Sequence, residues 1–126
     1  MKIIEAISRV DDLKPANNYD VEQKIGWLSQ LDLMIQNRVI DTHEDAPETM
    51  FTGYPADVDV QTELIAPTPF DEMYIYWLKA RIDLANGEYN RYNVEITMFE
   101  TEWQAFCADY NSKHMPITAG KGRILF

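Results

Sequence analysis

The chain has 126 residues, 46% of them apolar and 25% charged, which is the composition of one folded domain rather than of a disordered segment. Its 21 acidic and 11 basic residues give a net charge of −10, which argues against nucleic-acid binding through clustered Lys and Arg and against anionic membrane surfaces. A single cysteine, an acidic residue close to the N-terminus and the lack of a long apolar run predict a soluble protein of a reducing compartment, without disulfide, signal peptide or membrane span.

The first third of the chain is predicted to contain two helices. Apolar residues three and four apart indicate a short helix over residues 3–12, which Pro15 ends because the residue before a proline avoids helical backbone angles. Asp20 is a suitable N-cap for a long helix over residues 21–40, whose apolar residues follow a 3.6-residue period. Gly26 within this second helix predicts that a neighbouring helix packs closely at that point.

Residues 41–69 are predicted to form a long loop. Four prolines, one glycine and several acidic residues interrupt every helical pattern in this stretch. Within it, residues 58–64 alternate apolar and polar side chains, which indicates a short extended segment or an edge strand. Because a loop of this length is uncommon in a compact domain unless it is functional or disordered, we expect it to be a place of intermolecular contact.

Two further helices are predicted in the second half. Residues 71–86 are apolar nearly all round, which is typical of a helix that is central in the core or shared with a subunit interface, and Asn86 and Gly87 end it. Residues 88–114 carry a seam of large side chains at alternating steps of three and four, which predicts an antiparallel partner in the preceding helix. The seam consists of Tyr89, Tyr92, Ile96, Phe99, Trp103, Phe106 and Tyr110.

The predicted fold class is therefore all-α. We expect one domain over residues 1–126, a small helical bundle with a long antiparallel helix hairpin. The long proline-rich loop of residues 41–69 interrupts it. The glycine-containing tail of residues 117–126 is expected to be flexible in the isolated chain or docked on a partner.

The sequence carries no recognisable catalytic, cofactor or metal motif. His43 lies beside Glu44 and Asp45, but zinc sites need three or four converging ligands in patterns that are absent, so we expect a solvated histidine at a helix end. Cys107 lies beside the aromatic seam and is expected to be a small buried thiol. Residues 120–122 (GKG) lack the strand and helix of a phosphate-binding loop. We therefore expect a non-enzymatic protein with no cofactor and no metal.

Tyr, Trp and Arg are the residues that most often anchor protein–protein interfaces, and they are dense in this chain. The helix predicted over residues 71–86 has more apolar surface than one side of a core can cover, and the tail ends in apolar residues suited to docking. The candidate interface residues are Tyr54, Tyr74, Tyr76, Trp77, Arg81, Ile124 and Phe126.

Six segments of the chain resemble small proteins encoded in the head-morphogenesis region of tailed phages and prophages. These are residues 5–15 (EAISRVDDLKP), 24–32 (KIGWLSQLD), 42–44 (THE), 51–54 (FTGY), 82–93 (IDLANGEYNRYN) and 106–116 (FCADYNSKHMP). On these segments the chain is similar to the head–tail connector (head-completion adaptor) family. The resemblance implies a helical protomer that joins a ring beneath the portal of a DNA-filled capsid and offers a docking surface to the tail.

The resemblance also implies partners and a location. The partners are the portal protein, tail-side connector proteins and further copies of this chain, with no specific nucleic acid and no membrane, and the location is the virion after synthesis in the bacterial host cytoplasm. An acidic chain suits such a passage, because repulsion between like charges keeps DNA from sticking.

Three alternatives stay open at this point. The first is a cytoplasmic helical adaptor module that binds an unknown protein partner. The second is a small hydrolase or metal-dependent enzyme that uses His43 and nearby acidic residues. The third is a nucleic-acid binder that uses Lys121 and Arg123, although two charges give only weak, salt-sensitive binding.

Overall fold

Four α-helices form the body of the protein in a computed structural model that describes residues 1–47, 51–119 and 123–124, with residues 118–119 and 123–124 described through their backbone alone. The prediction of an all-α protein is confirmed. Each helix lies within two residues of its predicted bounds at either end. The helices are α1 (Ile3–Leu13), α2 (Val21–Arg38), α3 (Glu72–Ala85) and α4 (Tyr89–Lys113), with a short 3-10 turn at Ile40–Thr42.

Helix α3 is the centre of the core, and α1, α2 and α4 all pack against it. Its apolar character on nearly every side is therefore satisfied inside one chain, as expected for a helix with neighbours all round. The core role predicted for α3 is therefore confirmed, and a subunit interface through its half-buried residues, such as Tyr76 and Arg81, stays a prediction. The buried residues of α3 are Met73, Tyr74, Ile75, Trp77, Leu78, Ala80, Ile82 and Asp83.

Helices α3 and α4 pack against each other in antiparallel orientation. The rings of Trp77 and Phe99 are centred 5.1 Å apart, and the ammonium of Lys79 lies 3.2 Å from the carboxylate of Glu95. Within α4, the buried residues are Phe99 and Phe106. Tyr89, the first residue of the predicted seam, is 64% exposed, because α4 begins there and α3 has already ended.

The helix ends follow the local chemistry of the sequence. The carboxylate of Asp20 accepts a hydrogen bond from the backbone N–H of Gln23 over 2.8 Å, as an N-cap residue does. Gly87 has a positive φ of 75°, the left-handed conformation that allows α3 to end and α4 to begin two residues later. The prediction for Gly26 is wrong, because that glycine is exposed and none of the described residues packs a side chain over it.

The segment predicted as a short extended segment or an edge strand runs along the start of the chain. The backbone N–H groups of Ile3 and Ile4 donate to the carbonyls of Thr62 and Val60 over 3.0 and 2.9 Å. Within residues 58–64, all of them described, the one contact with strand geometry is the isolated bridge between Lys2 and Glu63, so the segment forms no strand. The hydrogen bonds nevertheless fix this part of the long loop against the N-terminus of α1.

The tail begins beside the end of α2. The backbone N–H of Ile117 donates to the carbonyl of Thr42 over 2.7 Å, and His43 forms an isolated bridge with Pro116. Two short strands follow, β1 (Thr118–Ala119) and β2 (Arg123–Ile124), and they pair antiparallel. The predicted flexibility of residues 117–126 stays a prediction, and residues 120–122 and 125–126 lie outside the described residues.

Candidate functional site

The most elaborate polar cluster in the described part of the chain is built around Asp32, a completely buried carboxylate on α2. Oδ1 of Asp32 accepts a hydrogen bond from the hydroxyl of Tyr74 over 2.6 Å. Oδ2 accepts one from the hydroxyl of Tyr54 and another from the backbone N–H of Ile65 over 3.2 Å. The hydroxyl of Tyr74 in turn accepts from the backbone N–H of Ala66 over 2.7 Å.

These hydrogen bonds fix both ends of one segment, residues 51–66, which we call the strap. Tyr54 anchors its first part through Asp32 and through a backbone hydrogen bond to the hydroxyl of Ser29 over 2.9 Å. Gly53 allows this approach, because its φ is 101° and a Cβ there would lie 2.7 Å from the Ser29 oxygen. Ile65 anchors the other end. The strap is therefore held at these two points and, over residues 60–64, along the N-terminus of α1, while residues 55–57 stay at the surface.

The middle of the strap alternates between exposed residues and the half-buried Val58, Val60 and Thr62. Val58 donates its backbone N–H to the carbonyl of Pro55 over 3.0 Å, and Thr62 donates to that of Asp59 over 2.9 Å, so two consecutive turns shape the segment. The exposed residues of the strap are Thr52, Pro55, Ala56, Asp57, Asp59, Gln61 and Glu63.

Burial sets the electrostatics of the cluster. Removal from water raises the pKa of Asp32 above its ordinary value, and the hydrogen bonds from Tyr54, Tyr74 and Ile65 oppose that rise only in part. Burial also raises the pKa values of the two tyrosines, and the nearby Asp32 carboxylate raises them further. Both phenols consequently stay protonated and act as hydrogen-bond donors.

This arrangement fits a structural fastening better than an active site. A general base must come within hydrogen-bond reach of a substrate proton. The Asp32 and Tyr74 side chains have no exposed surface, and the carboxylate already accepts three hydrogen bonds from its own chain. Buried polar groups with all their hydrogen bonds made rigidify a core and select one conformation.

A second polar cluster joins the end of α4 to the turn after α2. His43 is 1% exposed, and its ring lies 4.7 Å from that of Tyr110. Nδ1 of His43 contacts the carbonyl of Val39, and Nε2 lies 2.7 Å from the side-chain oxygen of Asn111. The prediction of a solvated histidine is wrong, because the chain after α2 turns this ring inward against α4.

His114 and Asp45 pair at the edge of this second cluster. The imidazole of His114 stacks on Tyr110 with ring centres 3.9 Å apart and contacts the carboxylate of Asp45 through Nδ1. The hydrogen bond with His114 lowers the pKa of Asp45 below its ordinary value. Both clusters therefore connect helices to the long loop, and Tyr110 and His114 of the second cluster also line a surface pocket of about 260 Å³.

A pocket of about 270 Å³ lies where α1 ends and α3 passes into α4. Inside its wall, the ammonium of Lys14 lies 2.8 Å from the buried carboxylate of Asp83. Nearby, the ammonium of Lys24 lies 2.6 Å from Asp11. Burial acts to raise the pKa of Asp11, but hydrogen bonds from Lys24 and Asn17 outweigh it and lower that pKa. These ion pairs tie α1 to α2 and α3.

The candidate interface residues are divided between core and surface. Tyr74 is 0% exposed and Trp77 is 9% exposed, so both are core residues, and that part of the prediction is wrong. The indole N–H of Trp77 donates to the carbonyl of Trp27 over 2.7 Å, which satisfies its one polar group. Both side chains lie inside because three helices cover α3.

Two other candidates on α3 are half-buried and reach the surface. The ammonium of Lys79 lies 5.6 Å from the ring centre of Tyr76, and the guanidinium of Arg81 lies 5.5 Å from that of Trp77. Tyr54 is half-buried in the Asp32 cluster. Of the tail candidates, Ile124 is described through its backbone only, and Phe126 lies outside the described residues.

Sequence inspection did not identify Asp32 as the centre of a buried polar cluster. The signal was present, since Asp32 lies on the apolar stripe of α2 between Leu31 and Ile35, where an acidic residue must find partners. Cys107, expected to be buried, is half-buried, and burial raises the pKa of its thiol, which disfavours the reactive thiolate.

Three further observations bear on function. Among residues 1–47, 51–119 and 123–124, no group of three or more His, Cys, Asp or Glu side chains is placed to hold a metal ion. None of the helices in the described residues has the length and apolar character that crossing a bilayer requires. No protein-family model, curated protein or solved structure matches the chain.

Proposed function

We propose that this protein is a structural subunit of a phage or prophage particle, a head–tail connector that forms a ring between the portal and the tail. It performs no catalysis, and its working parts are surfaces. The resemblance of six segments to connector proteins and the helical fold support this proposal. The observation that carries it is the strap, an exposed loop that a buried carboxylate fastens at both ends.

A fastened loop is suited to an assembly contact. Ordering a flexible loop during binding costs about 0.5–1.5 kcal/mol for each rotamer-rich side chain, and a loop already held in place avoids part of that cost. The strap residues between the two anchors, such as Pro55 and Asp57, are exposed while their backbone is set by Tyr54 and Ile65. A neighbouring subunit would therefore meet a surface of fixed shape.

A ring also needs a second, different surface on each subunit, since ring contacts are heterologous. The partly exposed Tyr76 and Arg81 on α3 supply residue types that anchor interfaces, and both are already oriented by ring–cation contacts. The net charge of −10 is compatible with a channel through which DNA passes, because like-charge repulsion keeps DNA from binding tightly to the channel wall.

The test is co-expression with the portal protein of the same phage or prophage, followed by purification of the portal and sedimentation of the complex. One variant, Ala56→Arg, places a long cation on the exposed middle of the strap. Its matched control, Gln30→Arg, adds the same charge to an exposed position of α2. Wild type and Gln30→Arg should co-sediment with the portal in many copies, and Ala56→Arg should not.

A wild-type chain that stays in the supernatant would overturn the connector assignment. Co-sedimentation of all three proteins would keep the connector and remove the strap as a contact. Capture of single copies by a helical protein other than the portal would favour the adaptor alternative instead.

A further inference from the structure

Helix α4 carries a second stripe on the side away from α3. Its residues follow alternating steps of three and four, the spacing of a coiled-coil seam, and every one of them is exposed. Two apolar side chains of this stripe are exposed to solvent, Val94 at 62% and Met98 at 42%. The outer stripe consists of Arg91, Val94, Met98, Thr101, Ala105 and Ala108.

The outer stripe is nearly free of charge on a strongly acidic protein. Between Arg91 and Lys113, all of which is described, Glu100 is the one charged residue among the exposed positions. Depletion of charge, with Met and Arg present, is the composition that marks the centre of an interface. Two copies repel one another because each carries a net charge of −10. A contact between copies is therefore favoured on a surface with few acidic residues, such as the outer stripe.

The stripe is complementary to itself in the antiparallel direction. Its larger residues lie in the N-terminal half and its smaller ones in the C-terminal half. When two stripes run antiparallel, Val94 faces Ala105 of the other copy and Met98 faces Thr101, while Arg91 faces Ala108. Each layer then joins a larger side chain to a smaller one, which is the condition for close packing between helices.

We infer that the outer stripe of α4 is a contact surface for a second copy of this chain, as an antiparallel α4–α4 pair. The contact is isologous, with the same residues on both sides, so it is distinct from the heterologous contacts of a ring and does not depend on the connector assignment. The paired length, about 26 Å at 1.5 Å per residue, makes it a small interface and a weak dimer.

One flank of the stripe gives the dimer a distinctive salt dependence. Glu88, Glu95, Glu102 and Asp109 recur every seven residues beside it, and antiparallel pairing brings the two copies' flanks together. Lys79 lies 3.2 Å from Glu95 and Lys113 lies 3.1 Å from Asp109, which offsets part of the repulsion. The remaining repulsion is screened by salt, so the dimer should tighten as ionic strength rises.

Sedimentation equilibrium of the full chain at 50 and 500 mM NaCl tests this directly. Wild type should dimerise, with the smaller dissociation constant at 500 mM. Ala105→Glu, which places a carboxylate opposite Val94, should raise that constant at least about tenfold. Asn93→Glu adds the same charge at an exposed position off the stripe and should change the constant by less than about threefold.

A cysteine pair tests the direction of the two helices. In a Cys107→Ser background, a chain carrying both Val94→Cys and Ala105→Cys should form disulfide-linked dimers on mild oxidation, and Val94→Cys alone should not. A wild type that stays monomeric in both salts, a dimer indifferent to Ala105→Glu, or rapid crosslinking through Val94→Cys alone would overturn the inference. None of these results bears on portal binding, which Ala56→Arg tests separately.

Discussion

The hydroxyl of Tyr74 donates a hydrogen bond to Oδ1 of Asp32 over 2.6 Å, and both side chains are completely buried. This contact joins α3, the central helix, to α2, and the same hydroxyl accepts a hydrogen bond from the backbone of Ala66. The exposed strap is therefore fastened from inside the core. A surface proposed for assembly thus depends on a hydrogen bond that no partner can reach.

Removal of the Tyr74 hydroxyl should destabilise the protein. Tyr74→Phe leaves Oδ1 of Asp32 and the N–H of Ala66 without their partner, and each buried group left unpaired costs about 1–3 kcal/mol. Tyr19→Phe is the matched control, since the Tyr19 hydroxyl donates to Asn86 over 2.7 Å at the surface, where water can replace it. Urea unfolding of both variants measures the difference. Equal losses would show that the buried cluster contributes no more than a surface hydrogen bond.

Asp32 should give stability a recognisable pH dependence. Because its folded pKa is raised, its protonated form is favoured in the folded state. Its contribution is therefore fully present below the ordinary value of about 3.9 and is lost as pH rises through the folded pKa. The free energy of unfolding of wild type minus that of Asp32→Asn should decrease as pH rises above about 4. A difference that grows with pH over that range would contradict the assignment.

Two glycines should respond to alanine with opposite signs. Gly87, between α3 and α4, has a φ of 75°, which costs a residue with a Cβ about 1–2 kcal/mol, so Gly87→Ala should destabilise. Gly26 lies inside α2, and an alanine methyl there would meet no packed neighbour within 4 Å, so Gly26→Ala should stabilise by about 0.5–1 kcal/mol. Thermal unfolding of the two variants measures both effects, and a shift of the same sign in both would refute the explanation.

The aromatic seam of α4 should contribute unevenly to stability. Phe106 is 2% exposed, so Phe106→Ala should cost about 3–5 kcal/mol. Trp103 lies on the same seam but is half-buried, so Trp103→Ala should cost less than Phe106→Ala. Denaturant midpoints of the two variants test this order. The reverse order would mean that α4 is rotated about its axis relative to the packing described above.

Much of the fold could be predicted from local patterns. The helices were found because apolar residues repeat at helical spacing, and their ends were found because Asp20 and Gly87 act through neighbours a few residues away. The burial of α3 within its own chain could not be predicted from the sequence. An apolar surface indicates burial but does not say whether the chain itself or another copy provides the cover.

The candidate site was missed because its contacts are long-range. Asp32 meets Tyr54 and Tyr74 from positions 22 and 42 residues away, and His43 meets Asn111 across 68 residues. No spacing rule relates residues at such distances. Their proximity follows from how the long loop returns to α2 and α4, which only the folded structure reveals.

The most direct test of the connector proposal is electron microscopy of this protein mixed with the portal protein of the same particle. The proposal predicts a closed ring of copies stacked on the portal, with the strap of each copy, around Ala56, at the contact with its neighbour. Portal particles that stay bare at saturating concentrations of the chain would contradict it.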